Sequence, residues 1–205
     1  MTLGIRYHFD VTYQLEKLKD YGEYIESNLK QEMNKIEDSL KELDEDEADE
    51  FVEFYYDDIA HFRDEFPRLM RNSQFTTIYS FLESKMLDLC EKYEQDLKLS
   101  EITGKGIVKA QIYLKKVIKI DFPDHAKEWQ YIKKSNKVRN CIVHANGDVS
   151  KLSESDQRKL INVVNDLEHI SINKQRHLIL DEKFCFNFIN ITENFLETIF
   201  KSVKK

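Results

Sequence analysis

The chain has 205 residues, and its five glycines and two prolines lie far below the ordinary shares of roughly 7% and 5%, which excludes a turn-dense β architecture. A hydrophobic content of 41% and an aromatic content of 12% exclude a disordered chain and point to one mostly helical domain with a real core. The net charge of −7 conceals an asymmetry: residues 1–66 carry twenty Asp or Glu against seven Lys or Arg, a balance of −13, whereas residues 105–139 carry ten Lys or Arg against three acids, a balance of +7, so a polyanion is drawn to the second region.

In chain order, Leu15, Leu18, Tyr21, Ile25, Leu29, Met33, Ile36, Leu40 and Leu43 keep helical spacing and predict one long amphipathic helix over 11–43. The acidic run 44–50 breaks that pattern and supplies carboxylates to the start of a second helix, 51–70, which Pro67 is expected to end or kink. Asn72 or Ser73 can cap a third helix, with Phe75, Ile78, Tyr79, Leu82, Met86, Leu89, Tyr93 and Leu97 as its buried stripe and Gly104 and Gly106 as its stop. A lysine-rich fourth helix over 107–120 turns at Phe122-Pro123-Asp124 into a fifth, 126–144, which Asn146-Gly147 can terminate in left-handed conformation. A sixth helix begins near Ser153, where Ser153 and Asp156 resemble a capping box. Segments 170–172 and 178–180 flank a polar turn and suit a short hairpin, and the last helix covers 181–203. The expected fold is therefore an all-α antiparallel bundle of about six to seven helices, divided into an acidic N-terminal extension, 1–71, and a core bundle, 72–205.

Cys90, Cys141 and Cys185 are odd in number and widely spaced, unlike a disulfide framework or a paired-cysteine zinc site. Residues 1–20 contain charges throughout and no apolar block, so neither a signal peptide nor a membrane span is expected, and a cytoplasmic location follows.

The sharpest chemistry lies at the end of the fifth helix, where Arg139-Asn140-Cys141-Ile142-Val143-His144 precedes Ala145-Asn146-Gly147. An imidazole moves a proton near neutral pH, and a guanidinium holds phosphate with a bidentate fork. At about 100° per residue, Asn136, Asn140 and His144 form a polar stripe; Arg139 and His144 flank Asn140 and point about 140° apart, a poor dyad within one chain. Two copies packed across a two-fold axis would gather both sets in one cleft. Equally, a cation and a histidine at a helix C-terminus can simply serve the helix dipole, and Asn146-Gly147 can simply turn the chain.

The segment 138–147 resembles the signature of the HEPN superfamily, an Arg, a polar residue, a short spacer and a His, matched by Arg139, Asn140 and His144. Ile78-Tyr79-Ser80-Phe81-Leu82-Glu83 is similar to the family helix that brings an acidic residue, here Glu83, toward the motif. The resemblance implies a helical bundle that dimerises through the motif helices. In active members it implies RNA cleavage without metal or other cofactor, His144 moving protons and Arg139 stabilising phosphate charge, with Asn140 orienting the imidazole or donating to a phosphate oxygen and a 2′,3′-cyclic phosphate as product. Members often belong to toxin–antitoxin, antiviral defence or stress systems with a neutralising or regulatory protein partner, and some are silent modules that bind RNA, a nucleotide or a protein. The long N-terminal helix and acidic segment are no part of the minimal family bundle and could be an arm, a dimerisation element or a cover for the basic face.

Lys133, Lys134 and Lys137, beside Trp129 and Tyr131, suit contacts to an RNA backbone, although Trp129 is better read as core and Cys141, between apolar neighbours, as a buried thiol. Asp57, His61 and Asp64 or Glu65 share one helical face, better read as a solvated acidic surface than as a metal site. His8, His125, His169 and His177 have no companion at ligand spacing.

Overall fold

The computed structural model describes residues 3–203, with side chains from residue 9 onward; His8 lies outside that set. It is an all-α bundle with one small hairpin near its C-terminus. In order come α1 (Leu3–Lys41), α2 (Glu45–Phe54), α3 (Tyr56–Ala60), a π-helical turn (His61–Glu65), α4 (Phe66–Lys92), a 3-10 turn (Leu99–Glu101), α5 (Gly106–Lys116), α6 (Lys127–Ala145), a second 3-10 turn (Val149–Lys151), α7 (Glu154–Asp166), the strands β1 (Ile170–Ile172) and β2 (Leu178–Leu180), and α8 (Glu182–Val203). The strands pair antiparallel with Ile170 opposite Leu180.

The centre of the bundle is α4, packed by α1, α5, α6 and α8. Phe75 meets Phe184 and Phe188 edge-on at 5.2 and 5.0 Å, and Tyr79 stacks on Phe188 at 6.0 Å. At the other end of α8, Phe195 stacks on Trp129 at 5.2 Å with Phe122 closing the cluster. Such offset and edge-on aromatic pairs add about 0.5–1.5 kcal/mol each beyond simple burial.

Four expected boundaries are corrected. The second helix starts six residues earlier than expected, because the acidic run is its first turn: Asp44 accepts from the Glu47 N–H at 3.0 Å while the Glu47 carboxylate accepts from the Asp44 N–H at 3.2 Å. Pro67 ends nothing. The π turn carries Phe66 N–H to the His61 carbonyl five residues back, so Pro67 arrives in the first turn of α4, where its missing N–H costs no helical bond. Asn72 and Ser73 therefore lie inside α4 rather than capping it; Asn72 is buried and the Ser73 carbonyl accepts the Thr77 hydroxyl at 2.8 Å. Helix α5 stops at Lys116, after which Lys119 turns left-handed (φ 62°) and Ile118 and Ile120 fold onto the core.

The division expected between residues 71 and 72 falls within α4, and Val11 and Leu15 of α1 belong to the same core as α4 and α8. Helix α1 approaches α4 closely at Gly22, where the Gln74 side chain fills the space a Cβ would need and donates to the Leu18 carbonyl at 2.9 Å. One turn further, Glu26 receives Arg71 through two hydrogen bonds of 2.6 and 2.8 Å, and Arg71 also donates to the Leu180 carbonyl. Beyond Glu26 the packing changes: from residue 27 to residue 58 no side chain is buried.

Candidate functional site

The motif occupies the last two turns of α6, fixed from both ends. Trp129, Ile132, Ser135, Val138, Cys141, Ile142 and Ala145 bury one face of the helix, and Asn146 (φ 52°) and Gly147 (φ 76°) close its C-terminus in left-handed conformation, the Asn146 and Gly147 N–H groups both bonding to the Cys141 carbonyl. The chain then passes through the short turn at Val149–Lys151 into α7, which Ser153 caps by accepting from the Asp156 N–H. This return sets α7 beside the exposed face of α6.

A cleft of about 300 Å³ results, at the lower end of the roughly 300–1,000 Å³ found for small-molecule sites. Lys137, Asn140, Cys141 and His144 line it from α6; Leu152, Asp156, Lys159 and Leu160 line it from the α7 side. Its floor is apolar and its rim holds two ammonium groups, an imidazole, an amide and one carboxylate. Asp156 is tied into this rim: its carboxyl is held below the ordinary range by the Ser153 hydroxyl at 2.7 Å, then by Lys159 at 3.3 Å, with Lys137 adding across the cleft.

Arg139 takes a different direction. Its guanidinium lies over the Tyr79 ring of α4, 5.7 Å from the centroid, a cation–π contact, and one Nη donates to Asn140 Oδ1 at 3.1 Å. Its Nε is buried without a partner, and Arg139 is absent from the lining of the cleft. Asn140 is thus shared, bonded by Arg139 on one side and facing the cleft with His144 on the other. Arg139 and His144 therefore face different surroundings, the one the Tyr79 ring and the other the cleft.

Glu83 stands one turn from Tyr79 on α4, but no hydrogen bond or ion pair joins it to Arg139 among the described residues. Its carboxylate lies against Gly106 at the start of α5, where a Cβ would come within 2.6 Å of it, so that position requires glycine as well as φ 56°. Burial pushes the Tyr79 phenol upward; Glu83 adds to the shift and Arg139 opposes it. Tyr79 Oη has no hydrogen-bond partner.

Of the three lysines, Lys137 lines the cleft, Lys133 is exposed, and Lys134 forms an ion pair with Asp166 of α7 at 3.0 Å. Trp129 is wholly buried, and Tyr131 is half-buried with its hydroxyl accepting from Asn187, so neither presents a ring for stacking a base on the α6 face. Burial raises the Cys141 thiol to about 11, with Asp148 adding to the shift, which leaves it protonated and inert at neutral pH. His61 lies 3.8 Å from Glu65 and stacks on Phe66; among the described residues no group of three or more His, Cys, Asp or Glu is gathered in the manner of a metal site.

Sequence reasoning missed Lys159, Leu152 and Leu160, and read Asp156 only as a cap. The available signal was the four-residue spacing of Leu152, Asp156 and Leu160 with Lys159 beside them, but nothing local shows that this face turns back onto α6. No family model, no curated protein and no solved structure matches the chain.

Proposed function

We propose that the α6–α7 cleft binds and cleaves RNA, in the manner expected from the resemblance of residues 138–147 to the HEPN signature. The observation that carries this reading is the presence of His144 and Asn140 in one cleft with Lys137 and Lys159. Two ammonium groups on opposite walls suit a phosphodiester, and an exposed imidazole between them suits proton transfer to or from a ribose hydroxyl.

The chemistry requires no resident group beyond these side chains. His144 Nε2 or Nδ1 accepts the 2′-hydroxyl proton as the 2′-oxygen forms a bond to phosphorus; the bond to the 5′-oxygen breaks, and the leaving oxygen takes a proton from a protonated imidazole. The products are a 2′,3′-cyclic phosphate and a 5′-hydroxyl. Lys137 and Lys159 offset the charge that develops on the phosphate oxygens. Arg139, turned onto Tyr79, reaches Asn140 but not the cleft of its own chain, so in a homodimer formed through the motif helices it would act across the two-fold axis, or by holding Asn140. A neutralising or regulatory protein partner fits the same reading.

The test is cleavage of end-labelled transfer RNA and a mixed RNA pool in EDTA by wild type and His144→Ala. Cyclic-phosphate ends from the wild type alone support the nuclease. A second reading draws on the burial of Arg139 Nε and its absence from the cleft: a silent module that binds RNA, a nucleotide or a protein on the same face. Salt-sensitive RNA binding without cleavage, equal in wild type and His144→Ala, would select it.

A further inference from the structure

Residues 27–58 form a helical arm that contributes no buried side chain to the bundle. It consists of the last four turns of α1, which at 1.5 Å per residue extend about 20 Å past Glu26, the turn at 42–44, α2 and the start of α3. The arm carries thirteen Asp or Glu against three Lys, a balance of −10. It is not merely a solvated polar segment, because Phe54 is 81% exposed, Tyr56 67% and Val52 41%. Asp46, Asp49, Glu50 and Glu53 make no ion pair among the described residues. Within its own chain α1 packs on α4, α8 and the π turn, and α2 packs chiefly on α3, so neither α5 nor α6 is among the arm's main neighbours.

The complementary surface is α5. Lys105, Lys109 and Lys116 follow helical spacing along α5, with Lys119 just beyond; Lys105, Lys116 and Lys119 are exposed, Lys109 is half-buried in a cleft that Glu91 and Glu94 also line, and none of the four has an ion-pair partner among the described residues. Val108 lies among these lysines and is 44% exposed. A basic stripe with an apolar residue in it matches an acidic helix with exposed aromatics in both respects.

We propose that the acidic arm docks on the α5 basic stripe of a second copy of this chain, Phe54 against Val108 and the arm carboxylates against Lys105, Lys109, Lys116 and Lys119. Two such interfaces related by a two-fold axis close a dimer, each arm reaching the other subunit. Their pairing strengthens both, since the second forms within an already joined complex. The arrangement is independent of the ribonuclease reading.

The experiment is cross-linking between separately purified full-length variants. Phe54→Cys protein is mixed with Val108→Cys protein of different tag size in the presence of oxidised glutathione as oxidant, and the mixed disulfide is followed; the native thiols are all buried and do not compete. Only an encounter between two chains gives this product. We expect it to form at least tenfold faster than a disulfide between Phe54→Cys and Leu69→Cys, whose parent side chain is 50% exposed on α4, and to be lost in high salt. Adding Asp46→Lys, Asp49→Lys, Glu50→Lys and Glu53→Lys to the first partner should abolish the advantage, and adding Lys105→Glu, Lys109→Glu and Lys116→Glu to the second should restore it. Asp44 and Glu47, which cap α2, stay unchanged. A Phe54–Val108 product no faster than the Leu69 control, or one that survives arm reversal, overturns the proposal and would leave the arm to a basic protein of another kind.

Discussion

His144, Asn140 and Lys137 on α6 meet Lys159 and Asp156 on α7, and each contributes a separable property to the cleft. On the proposed ribonuclease reading, His144→Ala should lower cleavage by about 10²–10⁴-fold, the usual worth of a positioned acid or base, with the circular dichroism and melting temperature retained because the side chain is exposed. On the same reading, replacing Lys137 and Lys159 by Ala should weaken RNA binding across all sequences. The slope of log K against log salt should become shallower by about one for each phosphate left without its lysine, measured by titration at several ionic strengths. Tyr79→Phe addresses the Arg139 platform. The hydroxyl is buried with no partner while the ring holds the guanidinium, so removal of the oxygen should leave activity intact and stability equal or about 1 kcal/mol higher, read by denaturant unfolding. A large loss of activity in Tyr79→Phe would show that the phenol itself takes part.

Among the elements, α1 and α4 are joined by the strongly desolvated Arg71–Glu26 pair in addition to the more exposed Lys85–Asp10 pair. Arg71 and Glu26 are 19% and 11% exposed, burial opposes the arginine's charge, and the paired carboxylate more than restores it. Arg71→Met alone should cost about 3–5 kcal/mol because Glu26 is left buried and unpaired, whereas the double variant Glu26→Leu with Arg71→Met should recover much of that loss. Denaturant unfolding of the two singles and the double measures the difference; additivity would show that the pair does not couple the helices. These elements also mark where local pattern reading succeeds. The amphipathic stripes, the Asn146-Gly147 stop, the Ser153 cap and the hairpin were legible because each is decided by neighbours within a turn. The continuity of α4 through Pro67 was not, because the π turn that receives the proline is selected by packing of α1 against it.

For the whole molecule, pH dependence follows from carboxylates bound in the folded state. Asp124 is held low by Lys115, Asp10 by Lys85 and Glu182 by Lys30. A carboxyl whose folded value is depressed stabilises the fold above its unfolded value, about 4, and that contribution is lost as pH falls through the folded value. Melting temperature should therefore be nearly flat from about pH 6 to 8 and fall below about pH 4, with the three cysteines silent throughout, since burial raises Cys90 and Cys185 to about 12.

Composition, periodicity and the left-handed stop by themselves determined that the chain is a helical bundle and where most helices lie, since each depends only on spacing along the chain. Tertiary structure alone decided that Arg139 turns to Tyr79 while His144 shares a cleft with Lys159 and Asp156, and that residues 27–58 leave the core. A helix pattern reports which face is apolar, but the neighbour that covers it is chosen by the packing of the whole fold.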